Sequence, residues 1–191
     1  MLGEYQRIVG AAGLRRVPRL VWTWDTGGSI GFYSATENLI AIGDAEVARL
    51  TSEVANGYFR PVRYGGVITH DGLRLAVVRV VLAHEVGHAL QYEQGERGYG
   101  IATEGGADDI AGQIAKALGW NAEIDAKIMH AIGCRTNFCD HPSPAGRVEY
   151  YNQGRRRIER RQAEQRYVAP RRDPLDAWRT LFPSLFSGAR R

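Results

Sequence analysis

Val81-Leu82-Ala83-His84-Glu85-Val86-Gly87-His88-Ala89-Leu90-Gln91 is the stretch on which the reading of this chain turns. It lies within residues 73–93, which hold no proline and one glycine, Gly87, and read as a single long helix. Valine is a poor helix former, but burial of a helix face overrides propensity. His84 and His88 are four residues apart, so on a helix they stand roughly 40° apart around the axis, one turn up. Both can therefore reach one metal ion, and neutral imidazole is a good zinc ligand. Glu85 sits beside the pair, where it can take a proton from a metal-activated water. Two histidines and a glutamate in a valine-rich helix are costly to bury without a metal or other partners.

A catalytic zinc site takes three protein ligands and leaves one position open. Thr103-Glu104-Gly105-Gly106-Ala107-Asp108-Asp109 supplies the third. Thr103 is the expected N-cap of a helix running to about residue 118, with Gly119 just past its end. Glu104 and Asp108 are again four apart and share a face. Glu104 can bind the metal, and Asp108 can accept a hydrogen bond from the other ring nitrogen of a ligating histidine. Stabilisation by the helix dipole accounts for Glu104 alone, since Asp108 and Asp109 lie further into the helix. Two glycines in a first turn cost about 1 kcal/mol each relative to alanine. They make sense if this helix packs tightly on the first.

The 191 residues, 44% hydrophobic and 24% charged, suit one ordinary globular domain with a tail. No apolar run approaches the ~18–20 residues of a membrane span, and no signal peptide precedes the fold, so a cytoplasmic location is expected. Two cysteines exclude a disulfide framework. Cys134 and Cys139 do not have zinc-ribbon spacing; they read as thiols in a reducing compartment, or as a small disulfide loop if the chain is exported. Strand patterns fall at residues 19–24, 32–35 and 38–42, and helices at 3–14, 45–55, 121–132 and 145–166, with Asn121 a cap. Residues 56–71 read as loop with one short strand at most, and 175–182 as a short amphipathic segment. A sheet-forming first third followed by helices is an α+β arrangement. Residues 151–191 carry eleven arginines against four acids, a net of +7, whereas residues 1–150 carry a net of −3. We therefore divide the chain into a domain over 1–160 and a basic tail over 161–191. The arginine run from Arg155 to Arg166 reads as a solvated helix face or as a surface for an acidic or nucleic-acid partner. Trp178, Leu181, Phe182, Leu185 and Phe186 would form an apolar patch in the tail, docking on the domain or on a partner.

His84-Glu85-x-x-His88, followed by Glu104-x-x-x-Asp108, resembles the gluzincin pattern of thermolysin-like peptidases. Residues 81–91 and 104–112 are closer still to the putative neutral zinc metallopeptidase family. His141-Pro142-Ser143 with Arg147-Val148 resembles a downstream His-Pro…Arg element that this family shares with membrane-bound prenyl-protein peptidases. The similarity spans residues 81–152, and residues 38–42 fit the edge strand such folds carry before the helix. Gly105-Gly106 stands where the family has larger residues, and the arginine-rich tail has no counterpart. The resemblance implies a minimal zincin-like α+β domain, a small N-terminal sheet followed by active-site and third-ligand helices. It implies a Zn2+ cofactor, a peptide or protein substrate, and peptide hydrolysis with Glu85 as general base. The developing oxyanion needs a second electrophile. His141 is the best candidate, with Arg147 in support; the alternative is that His141 is a turn residue before Pro142. Tyr92 and Tyr99 are weaker candidates, and His70 and His130 lack partners at ligand spacing. Two other functions share these features: a regulatory metallopeptidase that cleaves one repressor protein, and a non-catalytic, metal-stabilised adaptor whose basic tail binds nucleic acid.

Overall fold

The computed structural model of the chain describes residues 2–58, 68–133 and 140–168. Cys134, Cys139 and the segment 175–182 lie outside the described residues. The fold is α+β, with six helices and a three-stranded sheet among those residues. The order is α1 (Leu2–Ala12), β1 (Arg19–Thr23), β2 (Gly31–Ser34), β3 (Leu39–Gly43), α2 (Asp44–Tyr58), α3 (His70–Glu93), α4 (Ile101–Ala117), α5 (Ala122–Ile132) and α6 (Pro144–Val168). The chain divides into two compact units, Met1–Glu159 and Arg160–Arg191, and all that follows concerns the first.

The apolar sequence of α3 is satisfied by making it the central helix. Leu73, Ala76, Val77, Val78, Val80, Val81, Leu82, Ala83 and Val86 are all buried. Each fully buried valine or leucine contributes about 1.5–3 kcal/mol, far more than its propensity cost. The helix starts three residues before the sequence expectation because Thr69 caps it, its hydroxyl accepting from Gly72 N at 3.1 Å. Tyr5, Ile8 and Val9 of α1 and Val47, Leu50 and Val54 of α2 join its core. At its C-terminal end the Glu93 carboxylate accepts the backbone amides of Arg15 at 3.2 Å and Arg16 at 2.6 Å, clipping the α1–β1 loop to α3.

The strand order is β1-β3-β2, with β1 parallel and β2 antiparallel to β3. Sequence similarity suggested an edge strand at 38–42. The structure places β3 in the middle of the sheet, buried along its whole length, and β2 at the edge. Asn38 makes the turn between them at φ 48°, a conformation asparagine tolerates, and donates to Val17 O. Gly31 lets β2 press against α3: a Cβ there would stand 2.9 Å from Val81 Cγ1.

Thr103 does not cap α4. The helix begins three residues earlier than that cap would place it, entered through Gly100 at φ 96°, and the Glu104 amide bonds to Gly100 O. Asn121 does cap α5, its side chain accepting from Glu123 N and Ile124 N. Glycines set the distances between helices. A Cβ on Gly87 of α3 would lie 2.8 Å from Ala107 O of α4. On Gly112 of α4 it would lie 1.9 Å from Tyr151 O of α6, and on Gly154 of α6 1.8 Å from Asp109 O. A buried acid ties three further elements together. Asp125 of α5 accepts from Arg79 of α3 at 3.0 Å and from the Tyr151 hydroxyl of α6 at 2.8 Å, with Arg155 at 3.9 Å. No helix among the described residues is long and apolar enough to cross a membrane.

The Gly112 contact is with backbone, which cannot swing aside. Gly112→Ala is therefore expected to destabilise the protein by about 1–3 kcal/mol, the usual range for overpacking. A chemical-denaturation midpoint measures it, and an unchanged midpoint would mean that α4 and α6 do not pack as described.

Candidate metal centre

The face of α3 that carries His84 and His88 meets the first turn of α4, which carries Glu104. The two imidazole nitrogens and the Glu104 carboxylate form a triangle, with one carboxylate oxygen facing each nitrogen. His84 Nε2 and His88 Nε2 are 3.1 Å apart, Glu104 Oε2 is 3.1 Å from the first, and Glu104 Oε1 is 3.3 Å from the second. Tetrahedral ligands on bonds of about 2.0–2.1 Å are spaced about 3.3 Å apart, a spacing close to these contacts. These three residues can hold a metal ion together.

The nitrogens turned away from the triangle are engaged. His84 Nδ1 donates to Asp108 Oδ1 at 2.8 Å, and Asp108 is fully buried. His88 Nδ1 lies 3.2 Å from Gln91 Oε1. With an ion bound, each imidazole would therefore keep its proton on Nδ1 and turn the Nε2 lone pair to the centre. Arg147 is buried and donates to Glu104 Oε2 at 3.1 Å, with its other terminal nitrogen 3.6 Å from Asp108 Oδ1. One guanidinium therefore balances both carboxylates of α4. His141 Nε2 stands 3.2 Å from Glu104 Oε2, and its half-exposed ring forms part of the wall of the cleft.

Glu85 is 5% exposed and has no hydrogen-bond partner among the described residues. It lines a cleft of about 420 Å³ on one side and a cavity of about 280 Å³ on the other, and His84 and His141 line both. Edge strand β2 and the Tyr92–Tyr99 region wall the first; Leu50, Val81 and Ile132 wall the second. Tyr92 packs edge-on against Tyr33 and under the Arg97 guanidinium, and Tyr99 is fully exposed. His70 is exposed at the start of α3 and His130 lies on α5, both outside the metal-binding group.

Burial and charge oppose each other here. Burial pushes the His84 imidazolium down, but the Asp108 and Glu104 carboxylates outweigh it and raise its pKa to about 9 in the metal-free protein. Burial raises the Glu85 carboxyl above its usual range, opposed by the two histidines. For Glu104 the histidines win over burial and hold the carboxyl well below its usual range. Burial lowers His141.

Two features of the site escaped the sequence reading. Gln91 is uncharged and is no metal-ligand type, although it lies one turn beyond His88 on the same helix. The Gly105-Gly106 pair has a steric role: a Cβ on Gly105 would stand 2.7 Å from the Tyr150 ring, and one on Gly106 2.4 Å from Gln91 Nε2. The arginines of α6 within the first unit are in part internally paired. Arg155 joins the Asp125 group, Arg156 meets Glu149 at 2.8 Å, and Arg157 meets Asp109 at 3.4 Å. No family model, curated protein or solved structure matches this chain.

With its folded pKa raised from 6.5 to about 9, His84 is protonated at pH 7.5 in the metal-free protein. Metal uptake must displace that proton. Calorimetry in two buffers of different ionisation enthalpy should give about one proton released per ion at that pH; equal heats would show that His84 starts neutral. By the same linkage, His84 stabilises the metal-free fold fully below about pH 6.5, and this is lost as pH rises through about 9.

Proposed function

We propose that this chain is a zinc-dependent peptide hydrolase in which Glu85 is the general base. The observation that carries the reading is the position of Glu85, a buried carboxylate without a hydrogen-bond partner among the described residues, beside a three-donor group and at the junction of two cavities. Two imidazoles and one carboxylate with a fourth position open is the donor set of a catalytic zinc. Such an ion, when bound, supplies a Lewis acid that acidifies a water and polarises a carbonyl.

The rest of the chemistry belongs to the chain. His84, His88 and Glu104 would hold the ion, and Asp108 fixes the ring orientation of His84. The Glu85 carboxylate takes the proton of the attacking water and later delivers it to the leaving amine. Its raised pKa suits both steps, since a stronger acid would be a poor proton acceptor near neutral pH. His141, on the cleft wall beside Glu104, is placed to donate an N–H to the developing oxyanion. Arg147 lies behind Glu104 and Asp108 and holds both carboxylates in place. The substrate is an extended peptide crossing from the larger cavity to the smaller.

Glu85→Gln keeps the shape and removes the base. It is expected to take up one Zn2+ like the wild type and to lose peptide hydrolysis by at least ~100-fold. Undiminished turnover on an unfolded protein substrate would overturn the assignment.

A further inference from the structure

Among the described residues, the two histidines of the centre are held by different chemistry. His84 is oriented by a buried carboxylate, whereas His88 is oriented by a neutral amide, Gln91. Gln91 is 4% exposed and spans from α3 to α4: its Nε2 donates to Thr103 O at 3.0 Å, and its Oε1 lies 3.2 Å from His88 Nδ1. The direction of this relay is fixed. A backbone carbonyl can only accept, so the amide nitrogen must face Thr103. The amide oxygen then faces His88, and His88 Nδ1 must carry the proton. The lone pair of His88 is left on Nε2, pointing into the donor triangle.

Thr103 directly precedes Glu104, so the group that sets the His88 tautomer is anchored on the same turn that presents the third donor. A second observation points to the same residue. A Cβ on Gly106 would come 2.4 Å from Gln91 Nε2, with the next contact to the same side chain at 3.5 Å. Gly105, next to it, makes room for Tyr150 instead. Gly106 therefore serves one side chain, and its cost in an α-helix of about 1 kcal/mol relative to alanine keeps open the seat of Gln91.

We infer that Gln91 is a positioning residue for the metal centre, selecting the Nδ1–H tautomer of His88 through the Thr103 carbonyl, and that Gly106 exists to admit its amide. The inference rests on the reading of His84, His88 and Glu104 as metal ligands. Gln91 touches neither the ion nor the substrate; it acts through His88.

The test measures Zn2+ affinity by chelator competition for wild type, Gln91→Leu, Gln91→Ala, Gly106→Ala and the Gln91→Ala/Gly106→Ala double variant. Gln91→Leu keeps the volume and removes the acceptor; it should weaken Zn2+ binding by about 10-fold, the low end for partners of a ligating histidine. Gly106→Ala should weaken it similarly, yet add nothing when residue 91 is alanine, because the added methyl then meets no amide. In the zinc-loaded wild type, proton NMR should show a slowly exchanging His88 Nδ1–H that exchanges rapidly in Gln91→Leu and Gly106→Ala. Thermal midpoints of the metal-free proteins separate this from a packing defect, which would lower them and leave the Nδ1–H signal in place. Wild-type affinity and a retained Nδ1–H signal in Gln91→Leu would overturn the role of Gln91. A Gly106→Ala effect of equal size in both backgrounds would overturn the role of Gly106. A wild-type chain that takes up no Zn2+ would overturn the centre itself, a result distinct from both.

Discussion

The approach of α4 to α3 at Gly87 is the contact on which the site depends. Gly87 lies between the two histidines in sequence, and the missing side chain lets the Ala107 backbone lie where a Cβ would stand only 2.8–3.2 Å away. Interaxial distances of 8–10 Å follow from the side chains at a crossing, so a glycine there sets the near limit. Ala107 sits between Glu104 and Asp108, and the same approach brings one carboxylate to the front of the imidazoles and the other behind His84. A wider crossing would leave three polar side chains buried and apart, with nothing to offset their desolvation.

Charge placement follows from that crossing. Two carboxylates brought beside two histidines in a buried site repel each other until a cation stands between them. Arg147 supplies part of that charge from α6, and its reach depends on how closely α6 lies on α4. Gly112 and Gly154 set that distance by letting the two backbones touch, and the Tyr151 hydroxyl fixes α6 against Asp125. Guanidinium is well suited here because it contacts both carboxylates at once and does not lose its proton. The electrostatics of the centre are thus a consequence of helix spacing and of an ion pair supplied by a third helix.

The two halves of the candidate metal group were legible in the sequence because helical periodicity alone brings His84 to His88 and Glu104 to Asp108. The long central helix and the Asn121 cap were legible for similarly local reasons. What was not legible depends on relations between elements. The Gly105-Gly106 pair stood out as two poor helix formers in a first turn, but its use emerges only once Tyr150 and Gln91 lie against it. Thr103 looks like a cap by residue type, yet Gly100 begins the helix because its backbone adopts a positive φ. The strand at 39–43 has the apolar run of a buried strand, and only the pairing with β1 on one side and β2 on the other shows that it is central. Glutamine carries no charge and belongs to no ligand motif, so Gln91 was invisible until its two hydrogen bonds could be read together.

The clip made by Glu93 has a consequence for the order of events during synthesis. The loop at Arg15 and Arg16 is anchored 77–78 residues downstream, on a carboxylate at the far end of the central helix. Closing a loop of that span costs chain entropy that nearby contacts do not repay, which slows folding. During translation, α1 and β1 emerge well before the helix that covers them, so Tyr5, Ile8 and Val9 stay uncovered while α3 is still being made. The N-terminal third therefore cannot settle as an independent nucleus, and the helix that bears the histidines is also the surface on which the start of the chain finishes folding.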